Sequence, residues 1–338
     1  MPHKHALLVV IPTLNEARHI ARVIADLSAA PRVDANMLFV VADGGSTDGT
    51  QAIVEGIAAG RDDLQLLHNP RKLQSAAINL AVERYGDGRD LLIRCDAHAD
   101  YPVGFIKNLV DAYDRGEADA IVVPMDSVGA TCFQRAVGWV SDSKVGSGGS
   151  AHRGGAVSGY VDHGHHALFR MDSFRAAGGY DPSFTHNEDA ELDCRQRALG
   201  SRIFLDAAIR LRYAPRATPR KLARQYFNYG KGRSRTVRRH RGSLRARQLA
   251  VPFLVIGTLA ALLLSYVTPI FLLLPALYLA ILGTTAVRIA IDQRSACGLL
   301  AAPAAAIMHF AWGSGFLWGC ATLAERPWTP DASVGGLS

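Results

Sequence analysis

The sequence predicts an α/β fold, a mostly parallel sheet covered by helices on both faces, with transmembrane helices at its C-terminal end. Three observations carry this prediction. Apolar runs alternate with helical patterns as far as residue 124. Acidic clusters stand where two of the apolar runs end. A stretch without a single charge, Leu249–Val287, follows a crowd of arginines.

The elements follow in order. Ala6–Ile11 is a short apolar run ending at Pro12, read as a buried first strand and too short for a secretion signal. Ala17–Ala29 places Ile20, Val23, Ile24 and Leu27 on one helical face. Met37–Ala42 is a strand ending at Asp43. The cap-forming Ser46, Thr47 and Asp48 lead into a helix over Gly49–Ala59. Leu64–His68, Leu91–Cys95 and Ala120–Pro124 read as strands, and Ser75–Arg84 and Phe105–Arg115 as helices. Such alternation implies a parallel sheet, whose ligands sit beyond the carboxyl ends of its strands. Gly146–Gly159 reads as a loop or lid. It is no phosphate loop, because no Gly-Lys-Ser or Gly-Lys-Thr follows. Asp172–Gly200 is helical in parts, broken at Gly178–Gly179 and at Asp181–Pro182.

The 338 residues carry a net charge of +7, with arginines concentrated between Arg202 and Arg247. A basic belt alone fits nucleic acid as well as anionic lipid. The adjoining apolar run selects lipid, and no nucleic-acid partner is expected. Leu249–Val287 suits two spans of about 20 residues each, turning at Thr268–Pro269. A third apolar stretch, Gly298–Leu323, is read as a span or as a re-entrant or interfacial helix; Gly315 and Gly319 form a small-xxx-small pair in it. Arg288 and Arg294 put the second connection on the cytosolic side, and with three spans the tail after Glu325 faces out. The expected division is 1–215 catalytic, 216–248 basic interfacial helix, 249–324 transmembrane and 325–338 tail. Cys95, Cys132, Cys194, Cys297 and Cys320 are scattered without a C-x-x-C pair, so no zinc site or disulfide framework is expected.

Four clusters carry chemistry. Pro12-Thr13-Leu14-Asn15-Glu16 lies where the first strand meets the first helix. Asp43-Gly44-Gly45-Ser46-Thr47-Asp48 puts a carboxylate at a strand end beside glycines that let a ligand approach the backbone. Arg94-Cys95-Asp96-Ala97-His98-Ala99-Asp100 offers a strand-end carboxylate and an imidazole to a divalent cation, Mn2+ or Mg2+. His186-Asn187-Glu188-Asp189 opens a helical pattern with two adjacent acids, one of which, Asp189, suits a general base.

The order and spacing of these clusters resemble the family 2 glycosyltransferases, which have the GT-A nucleotide-sugar-binding fold. Within that family the chain looks most like the ExoA-type enzymes of succinoglycan biosynthesis. That likeness is carried by Asp96-Ala97-His98-Ala99 with Tyr101-Pro102, Gly178-Gly179-Tyr180-Asp181, Gln225-Tyr226 with Tyr229-Gly230-Lys231-Gly232, and His309-Phe310-Ala311-Trp312-Gly313. The resemblance covers the chain to about Leu323. It implies an inverting transferase that moves a hexose, from UDP-glucose or a similar donor, to a polyprenyl-diphosphate-linked acceptor. The implied place is the inner (plasma) membrane, multi-pass, with the catalytic domain in the cytosol.

Residue by residue, the resemblance assigns Pro12, Thr13, Asn15, Glu16, Asp43, Ser46, Lys72 and Asp96 to the donor. Asp96 and His98 fall to the metal, with His98 standing where the family has an aspartate and Asp100 able to share its role. Asp189 falls to the base. Glu188, His165, Gln225 and Arg233 fall to the acceptor or the lipid. His163, His165 and His166 read as a surface cluster, with the acceptor site or the metal shell as alternatives. Two other functions stay open, a processive polysaccharide synthase and a silent membrane-bound nucleotide-sugar scaffold, and so does a homo-oligomer.

Overall fold

The computed structural model describes residues 5–29, 36–116, 118–148 and 157–330. These form two compact units. The first holds the chain up to Met125 and again from residue 157 to Arg212. The second holds residues 126–148 and Tyr213–Trp328.

The first unit begins with β1 (Leu7–Thr13), α1 (Ile20–Ser28), β2 (Met37–Asp43), α2 (Thr50–Ala58), β3 (Leu64–His68), α3 (Gln74–Tyr85), β4 (Leu91–Arg94), α4 (Phe105–Arg115) and β5 (Ala120–Val123). The chain then runs through β6 (Met125–Ser127) into α5 (Cys132–Ser141) and the single turn α6 (Lys144–Ser147) of the second unit. It returns as β7 (Gly159–Tyr160), β8 (His165–Arg170), α7 (Met171–Ala176), α8 (Glu188–Ala198), β9 (Ile203–Leu205) and β10 (Leu211–Tyr213).

Eight strands make one sheet in the order β3-β2-β1-β4-β8-β5-β9-β7. The strands β3, β2, β1 and β4 are mutually parallel, while β8 runs antiparallel to both β4 and β5. Alternation in β1 shows why the sheet is covered on both faces. Leu7, Val9 and Ile11 join a core with α1 and α4, and Leu8 and Val10 join another with α3, α7 and α8. The chain order reverses between β1 and β4, which opens a crevice at their carboxyl ends. The helices and strands expected before residue 124 all form. The strands β6 to β10 were not foreseen: β6, β7, β9 and β10 have two or three residues each, and β8 opens with two histidines.

The second unit continues with α9 (Pro219–Arg239), α10 (Ala246–Leu264), α11 (Leu273–Asp292) and α12 (Ala301–Thr322). Among the described residues three segments are long and apolar enough to cross a membrane: Ala246–Leu264, Pro269–Asp292 and Ala296–Thr322. The break between the first two falls at Ser265–Thr268, as the sequence implied. The helices α9 and α12 approach closely through glycine. A Cβ on Gly230 would lie 2.0 Å from the Trp312 carbonyl oxygen, and one on Gly315 equally near that of Phe227. Gly315→Val therefore forces the seam apart and costs about 1–3 kcal/mol. A thermal melt in detergent should show the loss, while Gly283→Ala, which meets nothing within 4 Å, should melt as wild type.

Two expectations are corrected here. Cys132 and Cys297 form a disulfide, with Cα atoms 5.1 Å apart, where none was expected. A separation of 165 residues gives no spacing signal, and only the fold brings the two together. His163, His165 and His166 are not a surface cluster. His166 is fully buried in β8 and His165 nearly so, while His163 alone is substantially exposed. Most of the expected Gly146–Gly159 lid lies outside the described residues; Gly146 itself belongs to α6 and Gly159 to β7.

Candidate active site

Two loops meet after β1 and β2. The Asn15 amide donates to Ser46 Oγ at 2.8 Å, Thr47 donates back to Asn15 Oδ1 at 2.9 Å, and the Glu16 amide donates to Thr50 Oγ1 at 2.9 Å. Pro12 and Thr13 stand opposite Ala42 and Asp43 in the parallel register. Asp43 is the organiser of this edge. Its Oδ1 accepts from the amides of Gly45 (2.9 Å) and Ser46 (2.8 Å) and from Gln51 (2.6 Å). Its Oδ2 accepts from Thr13 (3.2 Å) and the Ser46 hydroxyl (2.5 Å). Burial pushes its carboxyl up, but the Ser46 and other hydrogen bonds outweigh that and hold it below the usual range. Five donors, three on Oδ1 and two on Oδ2, make Asp43 the organiser of this loop. Lys72, in a left-handed conformation (φ 57°), packs its backbone on Gly44, where a Cβ would come within 3.2 Å.

The other rim is built by β4, β8 and α8. Ile93 pairs with Leu168 in the antiparallel register, and Asp96 and His165 lie three residues beyond that pair on their two strands. The side chains meet there: His165 Nε2 lies 3.6 Å from Asp96 Oδ2. The other oxygen, Oδ1, accepts from Gln74 at 2.9 Å and lies 3.6 Å from Arg94. His98, half exposed, turns instead to Glu16, with Nδ1 3.0 Å from Oε1. That contact bridges the ends of β1 and β4 across the crevice.

Arg94 is the hub. Its Nη1 donates to Asp189 Oδ1 at 2.5 Å and to the Tyr180 hydroxyl at 3.2 Å, and Tyr180 donates to the same Asp189 oxygen at 2.8 Å. Asn79 of α3 holds Tyr180 in place by accepting its amide and donating to its carbonyl. Asp189 would be raised by burial, but Arg94 first, then His166, His165 and the Tyr180 hydroxyl, hold it well below the carboxylate range. Its Oδ1 is committed to these donors and its charge persists at neutral pH. Glu188, one residue earlier at the start of α8, is pushed up to about 7 by burial and by the Asp189 charge. Behind them, Asp193 joins His163 (2.6 Å) and the buried His166, which stacks on Phe169. A shift in the β5–β8 register lets His166 and Phe169, three apart, share a face.

The first unit thus brings together the donor candidates Pro12, Thr13, Asn15, Glu16, Asp43, Ser46 and Lys72 on one rim, and Asp96, His165, Glu188 and Asp189 on the other. Gln225 and Arg233 belong to the second unit. Gln225 bonds Tyr213 and Tyr229, and Arg233 bonds Gln248 and the Ser243 carbonyl. Sequence reasoning quoted Arg94 and Tyr180 within motifs without giving either a role, and did not name Gln74. The signal for Arg94 was a charge inside an otherwise apolar strand.

Among the described residues no cluster of three or more His, Cys, Asp or Glu forms a ready-made metal cage. The residues present still fit a cation shared with phosphates. Mg2+-like ions take one or two protein donors and complete their shell with phosphate and water. Asp96 Oδ2 and His165 Nε2 face each other at a distance too long for a hydrogen bond. Neighbouring donors around such an ion stand roughly 3–3.6 Å apart, given bonds of about 2.1 Å.

Comparison with known proteins gives the family and the fold. Residues 8–178 match the model of glycosyl transferase family 2. The succinoglycan biosynthesis protein ExoA of Rhizobium meliloti (strain 1021) is 43% identical over 309 residues, covering 91% of this chain and 93% of that one. The mannosyltransferase PcManGT of Pyrobaculum calidifontis, solved with GDP-Man and Mn2+, superposes with a TM-score of 0.58 at 18% identity, over 91% of this chain and 88% of that chain. GalNAc-T7, solved with UDP, GalNAc and Mn2+, gives a TM-score of 0.51 at 14% identity, over 69% of this chain but only 48% of that one. The structural likenesses show the GT-A fold. The family match stops short of α8, and the relative carries the likeness through it. On the strength of that match and that identity, the chain belongs to glycosyl transferase family 2.

Proposed function

We propose that this glycosyltransferase moves a hexose from a nucleoside-diphosphate sugar, UDP-glucose or a close analogue, to a polyprenyl-diphosphate-linked acceptor, with inversion at the anomeric carbon. The product belongs to a succinoglycan-like exopolysaccharide or surface glycan, in keeping with the name of the 43% identical relative. The observation that carries the reading is the pair of carboxylates on one rim, Asp96 and Asp189, joined by Arg94. One carboxylate faces the donor diphosphate, and the other faces the attacking hydroxyl.

The donor lies in the crevice between β1 and β4. The loop shaped by Asp43, with Asn15, Ser46 and Lys72, receives the nucleoside and phosphates. A divalent cation held by Asp96 would neutralise the diphosphate as it departs. Asp189, fixed by Arg94 and Tyr180, accepts the proton of the acceptor hydroxyl through Oδ2 as the new bond forms. The anomeric carbon is attacked from the side opposite the leaving group, so an α-linked donor gives a β-linked product. Proton NMR of the first-formed product reads this directly. A β-anomeric coupling supports the proposal, and an α product removes the single displacement.

For the cation, the resemblance points to His98, but the geometry favours His165, which already faces Asp96. His165→Ala should weaken Mn2+ binding in the presence of UDP by about tenfold or more. The EPR signal of free Mn2+ measures this without turnover. Loss on His98→Ala alone, with His165→Ala unchanged, would assign the ion to His98.

The three apolar segments found among the described residues support a place at a membrane. The basic α9 and the charged α11–α12 connection favour the cytosolic face of the inner membrane for the catalytic unit.

A further inference from the structure

Asp189 is held by one of its two oxygens. Arg94 Nη1 and the Tyr180 hydroxyl both donate to Oδ1, at 2.5 and 2.8 Å. Two donors on one oxygen set the rotation of the carboxylate. They leave Oδ2, which has no hydrogen-bond partner among the described residues, to take a proton.

Arg94 alone does not fix that rotation. Its Nε is buried without a hydrogen-bond partner, and its Nη2 stands 3.6 Å from Asp96, beyond hydrogen-bond range. Among the described residues its guanidinium hydrogen-bonds only to Asp189 and Tyr180. The fixed point of this triangle is therefore the phenol.

The phenol is held from outside the triangle. Tyr180 is 1% exposed, and its ring meets those of Phe169 and Phe174 edge-on, at 6.3 and 5.6 Å. Its backbone is held by one side chain. Asn79 Oδ1 accepts from the Tyr180 amide at 2.9 Å, and Asn79 Nδ2 donates to the Tyr180 carbonyl at 2.7 Å. Neither backbone group has another hydrogen-bond partner among the described residues. The local sequence explains the need. Gly178 and Gly179, with φ of 77° and 65°, turn the chain out of α7, so Tyr180 lies outside any helix or ladder. A Cβ on Gly179 would come within 2.7 Å of Asn79 Oδ1, so only glycine lets the amide dock there. Arg195 of α8 donates to the Ala177 carbonyl and pairs with the buried Glu191. That contact ties the turn to the helix that carries Asp189.

The helix α3 thus serves both carboxylates of the rim. Gln74 donates directly to Asp96 at 2.9 Å, and Asn79 reaches Asp189 through Tyr180. We propose that Asn79 is a positioning residue for transfer. By pinning the Tyr180 backbone it aims the hydroxyl that holds Asp189 Oδ1, and so sets the angle at which Oδ2 meets the acceptor hydroxyl. It acts without touching either substrate. The proposal rests on the reading of Asp189 as the base.

Such a role lowers the rate and spares binding. Tyr180→Phe keeps the ring and removes one of the two donors, so kcat should fall about tenfold or more. Asn79→Ala should lower kcat by a similar factor, with KM for the nucleotide sugar and affinity for UDP with Mn2+ near wild type. A double-mutant cycle separates action through the phenol from general loosening. In the Tyr180→Phe background, Asn79→Ala should change kcat by less than about twofold. Where Asn79→Ala melts too early to assay, Asn79→Asp runs the same cycle, since it keeps the acceptor for the amide and loses only the donor to the carbonyl. The assay is label transfer by the purified full chain in detergent, with membrane lipid extract and the nucleotide sugar that the wild type turns over. Losses that multiply to about a hundredfold in the double variant overturn the proposal. So does wild-type kcat in either single variant, or an effect confined to KM. Undiminished transfer by Asp189→Asn, or none by the wild type with any donor, would instead defeat the base reading, and the proposal with it.

Discussion

Asp189→Asn is expected to leave donor binding close to wild type and to cut transfer by about a hundredfold or more. The amide keeps an oxygen for Arg94 and Tyr180, so the rim stays assembled while the proton acceptor is lost. Glu188→Gln is the necessary companion, because Glu188 is the one carboxyl at this rim raised to about 7. The pH profile separates the two. Asp189 stays ionised far below neutrality, so as the base it leaves kcat flat from about pH 5 upward. Were Glu188 the base, kcat would climb through pH 7 as its carboxyl loses its proton. Wild-type turnover in Asp189→Asn, together with such a climb and its loss in Glu188→Gln, would move the role by one residue.

Arg94→Met is expected to produce the largest loss of stability, about 3–5 kcal/mol. The substitution leaves Asp189 and Asp96 without the cation between them and leaves Tyr180 with one partner fewer. The sign with pH follows from the depressed carboxyl of Asp189. In the wild type that depression stabilises the fold above the unfolded value near 4, and the benefit fades as pH falls towards the lower folded value. The deficit of Arg94→Met should therefore be full at pH 7 and shrink below pH 4, where the carboxyls take up protons. Thermal melts of both proteins at the two pH values measure it. A deficit under 1 kcal/mol at pH 7 would show that Arg94 is not the hub of this rim.

What could be read from sequence depended on how local the signal was. The strands β1 and β2 are continuous apolar runs ending in polar clusters, and both the elements and the crevice followed from them. Asp43 was found as a strand-end acid, yet its five hydrogen-bond donors come from three segments, so its part as loop organiser was not legible. His165 and His166 are adjacent at the start of β8, whose polar opening gave no apolar run to read. Pairing with β4 and β5 sends one towards Asp96 and buries the other against Asp193 and Phe169. The arginines of α9 read as lipid-facing charge, but Arg235, Arg238 and Arg239 are spent on Glu325 and the end of α12, some 80 to 90 residues away. Hydropathy finds an apolar helix, but it does not reveal whether protein or lipid surrounds it.

The proposed reaction is transfer from a nucleotide sugar to a lipid-linked acceptor. The measurement that meets it most directly incubates the purified full chain in detergent with a membrane lipid extract. A panel of radiolabelled UDP- and GDP-sugars is supplied with Mn2+, Mg2+ or EDTA. Label from one donor is expected in the lipid fraction, abolished by EDTA and by Asp189→Asn. Nucleotide binding without transfer from any donor, in an extract that supports other lipid-linked transferases, would contradict it.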